Sequence, residues 1–400
     1  MKKRIVTLAL ALLLILAFAG CQKTETPDSE GVTINVYNWG QYISDGTDGA
    51  IDVNAAFTAA TGIKVNYMTF DTNESLYTKL KTGGSSYDVI IPSDYMIARL
   101  VEENMLLPLN FDNIPNYEYI DEAYRNASYD PDNAYSVPYT WGTVGIIYNT
   151  KFVDLADVGG WNLLWNEKYK GKILMFDNPR DAFAIAELLL GIDVNTEDAA
   201  ELQRAADRLV EQKPLVQGYV MDQIYEKMQR EEAWIAPYYA GDYLMMVEEN
   251  EALAFNFPAN GFNLFIDAMC IPTSCQNKDA AEAYINFLCD PEISGQNLEY
   301  LGYSAPQSAA KEYMDEGVAE SEIAYPDAGI LARGVGFLSL STEANQLMDD
   351  LWLNVKTEGN GRTIIIIISL ALVVVAVAAI FLVRRNRAKK RKARRGRTSS

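Results

Sequence analysis

Val36-Tyr37-Asn38-Trp39-Gly40-Gln41-Tyr42 reads as an apolar strand that stops at Trp-Gly and a second aromatic residue. Flat apolar side chains at the carboxyl end of a strand lie where ligands bind in open α/β sheets. The stretch alone does not separate that reading from ordinary packing, because aromatic residues at strand ends usually face a core or its rim. Its meaning depends on the chain around it.

Downstream, strand and helix patterns alternate. Val32 to Asn38 is followed by a helical pattern through Ala50 to Thr61, a strand at Ile63 to Thr69 and a helix from Glu74 to Lys81. The short apolar run Tyr87 to Ile91 stops at Pro92-Ser93-Asp94, and a helix from Tyr95 to Glu103 follows. This order implies a mostly parallel sheet. After Pro138 a second unit begins, with strands at Val144 to Tyr148 and Gly171 to Phe176, a helix at Trp161 to Tyr169, and a long helix from Asp181 through Leu190. Asn263 to Ile271 is the most apolar strand of this half, yet it contains Asp267. A carboxylate there is costly unless it is paired. Chain crossing at Pro138 to Gly145 and near Gly261 to Asp267 would leave a hinged cleft between two α/β lobes.

The ends differ from this middle. Lys2-Lys3-Arg4, an apolar run from Ile5 to Phe18 and Ala19-Gly20-Cys21 have the form of a secretory signal peptide, and the segment before Cys21 resembles the lipobox of bacterial lipoproteins. Residues 1–20 are therefore expected to be a lipoprotein signal peptide, Cys21 the lipidated residue, and residues 21–31 a tether. Thr363 to Val383 has 21 residues without a charge, enough to cross a hydrocarbon core of about 30 Å. Ten Lys and Arg follow between Arg384 and Arg397, so residues 384–400 are expected to stay cytoplasmic and the rest to face outward.

The net charge of −20 hides an asymmetry: three basic residues precede Cys21 and ten lie in the tail, so 21 of the 34 basic residues face all 54 acidic ones. An outward-facing part near −33 repels nucleic acid and favours cationic ligands. Histidine is absent, which excludes Ser-His and Cys-His catalysis and every His-based metal site. Cys270, Cys275 and Cys289 are expected to be free thiols. No nucleophile–base set, Gly-rich phosphate loop or metal cluster is visible, so neither an enzyme nor a cofactor is expected.

Tyr37-Asn38-Trp39, Asn73-Glu74, Tyr87-Asp88-Val89 with Pro92-Ser93-Asp94-Tyr95, and Pro138-Tyr139-Thr140-Trp141-Gly142 together resemble the polyamine (spermidine/putrescine) substrate-binding proteins of ABC transporters. Ile266-Asp267, Leu301-Gly302-Tyr303 and Tyr325-Pro326-Asp327-Ala328 continue the resemblance in the same order, over roughly Gly31 to Lys356. It implies an α/β fold of the type II periplasmic-binding-protein class, two lobes joined by hinge strands, with residues 32–138 and 268–305 in lobe 1 and 139–267 and 306–358 in lobe 2. The transmembrane helix at 363–383 would be an addition to that pattern.

The resemblance also implies a site: Trp39 and Tyr42 as one aromatic wall, Ser93 and Tyr95 beside them, then Asp181, Tyr239, Asp242, Phe265, Asp267 and Tyr303. Aromatic faces would hold the methylenes and carboxylates the ammonium groups. Gly40 stands where Thr or Ser often contributes a hydroxyl, Asn178 where spermidine binders often have Asp, and Phe337 near a position where Gln can occur. These departures tilt the expected ligand toward putrescine. The expected partners are a polyamine, an ABC permease and the membrane, held through lipidated Cys21 and the carboxyl-terminal helix at the outer face of a bacterial cytoplasmic membrane. The alternative is a membrane-anchored sensor that uses the same fold without transport.

Overall fold

The computed structural model describes residues 31–357. The expected signal peptide, Cys21 and most of the expected tether, the apolar stretch 363–383 and the basic tail lie outside the described residues. Among the described residues no helix is long and apolar enough to cross a membrane.

The first half opens with β1 (Thr33–Trp39), α1 (Val53–Thr61), β2 (Lys64–Phe70), α2 (Asn73–Thr82), β3 (Val89–Ile90) and α3 (Asp94–Glu102). β1 pairs in parallel with β2 and β3. Its alternation buries Ile34, Val36 and Asn38, the pattern expected of a strand with one face on a core. Helix boundaries follow their caps. The expected start at Ala50 moves to Val53, because the Asp52 carboxylate accepts from the Ala55 N–H and sets the first turn there. α2 begins in a reciprocal capping box between Thr72 and Ser75.

Two long strands carry the chain between the halves. β4 (Ser136–Asn149) is buried at every one of its 14 positions. Its first half runs antiparallel to β9 (Phe262–Cys270), with Pro138 opposite Ala268 and Gly142 opposite Phe265, and its second half pairs with β7 (Ile235–Tyr239) and β8 (Leu253–Asn256). β5 (Ile173–Phe176) lies in parallel between β6 (Val216–Val220) and β7. The strand order β2-β1-β3-β9-β4-β7-β5-β6 therefore has parallel outer parts joined by an antiparallel centre. The mostly parallel sheet expected from the alternation holds only for those outer parts. The crossings at Pro138–Gly145 and Gly261–Asp267 fall on the central strands.

Helices α4 (Pro179–Leu190), α5 (Ala199–Gln212), α6 (Ile224–Gln229) and α7 (Ala240–Glu249) cover the second half. α8 (Lys278–Leu288), α9 (Pro291–Leu301) and α10 (Thr342–Thr357) close the chain around both. One expectation fails here. Trp161 to Tyr169 forms two short 3-10 turns, Trp161–Trp165 and Glu167–Tyr169, in place of a helix. The two indoles donate to backbone carbonyls elsewhere, Trp161 to Gly261 and Trp165 to Arg208, and the Asn166 side chain accepts from Lys168 N–H. Those tertiary and local bonds compete with an α-helical ladder.

Candidate ligand-binding cleft

The cleft is built from the carboxyl ends of strands in both halves. At the end of β1 the chain turns sharply: buried Asn38 accepts from Trp39 N–H and donates to the Tyr42 carbonyl, which also accepts from the Tyr139 hydroxyl. Tyr139 is in turn held by the Asn297 amide. This network fixes Tyr42 so that its hydroxyl donates to Asp267 Oδ2 at 2.6 Å. The Trp39 ring packs on Phe70 at 4.6 Å between centroids, and among the described residues its indole N–H has no hydrogen-bond partner. Ser93 precedes α3 without capping it, so its hydroxyl is not committed to the helix. Tyr95, the second residue of α3, donates to Glu74 and accepts from the Asn73 amide.

The second half supplies Asp181 and Asp242 with the rings of Tyr239 and Phe265. β5 ends at Asp177-Asn178, and Asn178 caps α4 through the Arg180 N–H while its amide donates to Asp181 Oδ2 at 2.8 Å. The Tyr239 hydroxyl, at the end of β7, donates to the same oxygen at 2.9 Å. Asp242, in the first turn of α7, accepts from the hydroxyls of Tyr225 and Tyr303, one on each oxygen. Gly241 makes the second bond possible, since a Cβ there would stand 2.2 Å from the Tyr303 ring. Phe265 on β9 meets the Tyr239 ring edge-on at 5.5 Å.

All ten residues expected from the sequence, Trp39, Tyr42, Ser93, Tyr95, Asp181, Tyr239, Asp242, Phe265, Asp267 and Tyr303, line one cavity. Its volume is about 50 Å³, that of a narrow slot.

The electrostatics have one sign. Six aspartates line the cavity, Asp71, Asp94, Asp181, Asp222, Asp242 and Asp267, with no Lys or Arg among the lining residues. Burial pushes Asp267 up to about 6, opposed by the neighbouring Ser93 and Tyr42 side chains. Asp242 is likewise raised by burial to about 6 against the hydroxyls of Tyr225 and Tyr303, and Asp181 to about 7 against Tyr239. Among the described residues, buried Asp267 Oδ1 has no hydrogen-bond partner. An unpaired buried carboxylate oxygen is costly, which points to a donor arriving from the cleft. The nearby cation, Arg180, donates to Val194 O, Asn195 Oδ1 and Leu338 O, with its guanidinium 4.4 Å from the Phe337 ring centroid. Among the described residues no group of three or more His, Cys, Asp or Glu could hold a metal ion.

Several lining residues were not expected. Asp94 and Asn263 border the site from α3 and β9, Tyr225 supports Asp242 from α6, and Asp222 approaches Gly40 from the other half, where a Cβ would lie 2.2 Å from Asp222 Oδ2. Asp94 sits beside Ser93 and Asn263 begins the strand that carries Phe265 and Asp267, so local signals existed for both. Tyr225 and Asp222 had none, because their partners are remote in sequence. The three cysteines among the described residues are free thiols, two of them buried.

Comparison with known proteins agrees with this architecture. A family model described as bacterial extracellular solute-binding protein matches residues 53–324. The spermidine/putrescine-binding periplasmic protein of Escherichia coli is 32% identical over 303 residues, 76% of this chain and 85% of its own length. A solved Listeria monocytogenes structure assigned to spermidine/putrescine ABC transport is 37% identical, with a TM-score of 0.77, covering 81% of this chain and 98% of that one. A spermidine/putrescine ABC transporter substrate-binding protein of Streptococcus pneumoniae is also 37% identical, with a TM-score of 0.68, covering 82% of this chain and 99% of that one.

Proposed function

The chain belongs to the bacterial extracellular solute-binding proteins, and on that premise we propose that it captures a polyamine in its cleft and delivers it to an ABC permease. The observation that carries this reading is the buried Asp267 Oδ1, unpartnered among the described residues, in a narrow, aromatic-walled slot whose charged lining groups among those residues are all acids. Asp267 receives one terminal ammonium. Asp181 and Asp242 receive the other, while Trp39, Tyr42, Tyr95, Tyr239, Phe265 and Tyr303 contact the methylenes and offer cation–π attraction. Ser93 supports the Asp267 end. Putrescine ranks ahead of spermidine, because the Asn178 amide oxygen already accepts from the Arg180 N–H and Phe337 offers no acceptor.

Lobes of residues 32–138 with 268–305, and 139–267 with 306–358, close about β4 and β9 on the ligand, and the closed form docks on the permease. Lipidation at Cys21 and a span at 363–383 hold the protein at the outer face of the membrane, with residues 384–400 inside. The apolar stretch at 363–383 also favours a second reading, a sensor that binds the same ligand without transport. Calorimetric titration of the full-length protein with putrescine and with spermidine tests the ligand class: heat at micromolar ligand supports it, and no heat with either overturns it. Uptake measured after deletion of residues 363–400 separates the two roles.

A further inference from the structure

We infer that Asp94 is the second carboxylate of the ammonium seat built on Asp267, and that this pair selects a primary ammonium. The inference rests on the polyamine reading above and concerns how one end of that ligand is held.

Asp94 opens α3, is 7% exposed and lines the same cavity as Asp267. Its carboxylate is fixed from two elements: Oδ1 accepts from Tyr95 N–H at 2.7 Å on α3, and Oδ2 accepts from Ile266 N–H at 3.4 Å on β9. Ile266 immediately precedes Asp267, and Ser93, which immediately precedes Asp94, bridges Asp267 across the backbone. The two carboxylates are therefore held as neighbours by main chain on both sides. Each Asp94 oxygen accepts one hydrogen bond and keeps a further lone pair, and Asp267 Oδ1 accepts none.

Neither acid forms a salt bridge among the described residues. The titratable groups facing Asp94 are Asp267 on β9, Arg180 on α4 and Tyr129 in the loop before β4. Arg180 is bonded to Val194, Asn195 and Leu338, so it does not neutralise the pair. Burial, against those two backbone N–H bonds and with Asp267 adding repulsion, pushes Asp94 up to about 8. Two carboxylates buried side by side without a bonded cation are unfavourable until a cation sits between them. A primary ammonium supplies three N–H donors, enough for Asp267 Oδ1, an Asp94 oxygen and the Ser93 hydroxyl together. A tertiary ammonium carries the same charge with one donor, so it satisfies only one of these acceptors.

The test titrates the full-length protein, as wild type, Asp94→Asn and Asp94→Thr, with putrescine and with N,N,N′,N′-tetramethylputrescine. Wild type is expected to prefer putrescine by at least tenfold. Asp94→Asn is expected to weaken putrescine by about 10- to 100-fold, the scale of hydrogen bonds to charged groups, and to shrink the preference over the tetramethyl compound by a similar factor. The melting temperature of the free protein should be unchanged or higher. Putrescine affinity within threefold of wild type in both variants overturns the inference and leaves Asp94 as a helix-start residue. If the variants do not fold, equal wild-type affinity for the two diamines overturns it. A wild type that binds neither diamine overturns the polyamine reading, and the ammonium seat with it.

Discussion

Affinity for a polyamine should rise steeply between pH 5 and pH 8, because the cleft acids are held partly protonated by burial. Asp267 and Asp242 are raised to about 6 and Asp181 to about 7. Their folded values lie above the unfolded value, so ionisation destabilises the free protein. Its stability should fall as pH rises from about 4 through about 8, the value of Asp94, and then level off. An ammonium relieves that cost only when the carboxylate it meets is ionised. At pH 5, ionising a group of value about 6 costs about 1.4 kcal/mol, and one of value about 7 costs about 2.7 kcal/mol. A diamine held by Asp267 and Asp94 at one end and by Asp181 and Asp242 at the other must meet at least two such costs, and Asp94, raised to about 8, adds to them. Its affinity should then be at least roughly 100-fold lower at pH 5 than at pH 8, a loss of about 3 kcal/mol or more. The ligand's own ammonium groups, with ordinary values near 10, stay charged throughout. Calorimetry at each pH, repeated in buffers of different ionisation enthalpy, reads both the affinity and the protons released. A dissociation constant constant within threefold from pH 5 to pH 8, with buffer-independent heat, would refute the argument that burial sets the charge of the cleft.

Two further outcomes follow from single residues. Asp267→Asn should cost at least about 2 kcal/mol of binding, roughly 30-fold or more, by removing the charged partner of a desolvated ammonium, yet leave the melting temperature of the free protein unchanged or higher. Titration and a thermal melt read the two effects, and a lowered melting temperature with intact binding would assign Asp267 to the fold instead. Gly40→Ser puts a side chain where the Asp222 carboxylate now lies, and because that carboxylate is the far end of an exposed side chain it should swing aside at little cost to the fold. Binding should weaken by up to about fivefold, the scale of about 1 kcal/mol for an exposed charge, Asp222→Ala should weaken it equally, and the double variant should lose no more. Additive losses in the double variant would place the defect elsewhere.

The alternation of strands and helices was legible because period and caps are local. Helix α4 follows from Asn178 as its cap, Pro179 in its first turn and Gly191 at φ 68° beyond its end. The antiparallel centre was not legible. β4 and β9 are apolar runs of the kind that parallel buried strands also show, and their pairing joins residues more than a hundred positions apart. The turns at Trp161 to Tyr169 were misread for a related reason: helical spacing of Trp and Leu is visible locally, whereas the carbonyls of Gly261 and Arg208 that take the indole protons are not.

The same distinction governs the cleft. A resemblance in sequence order could name the residues that line it, but it registered Gly40 only as a missing hydroxyl. In the folded chain that absence has a counterpart: the Asp222 carboxylate of the other half occupies the space a side chain at Gly40 would fill. Asp222, raised by burial and by Asp71 nearby, thus brings an acid to the lining of the cleft where a neutral hydroxyl would otherwise sit. Two like charges near one another there make the entry of a cation favourable. A departure from a family pattern therefore reads as a loss of polarity in one dimension and as a transfer of polarity between the two halves in three. The residue that receives the polarity is recognisable only once the halves are brought together.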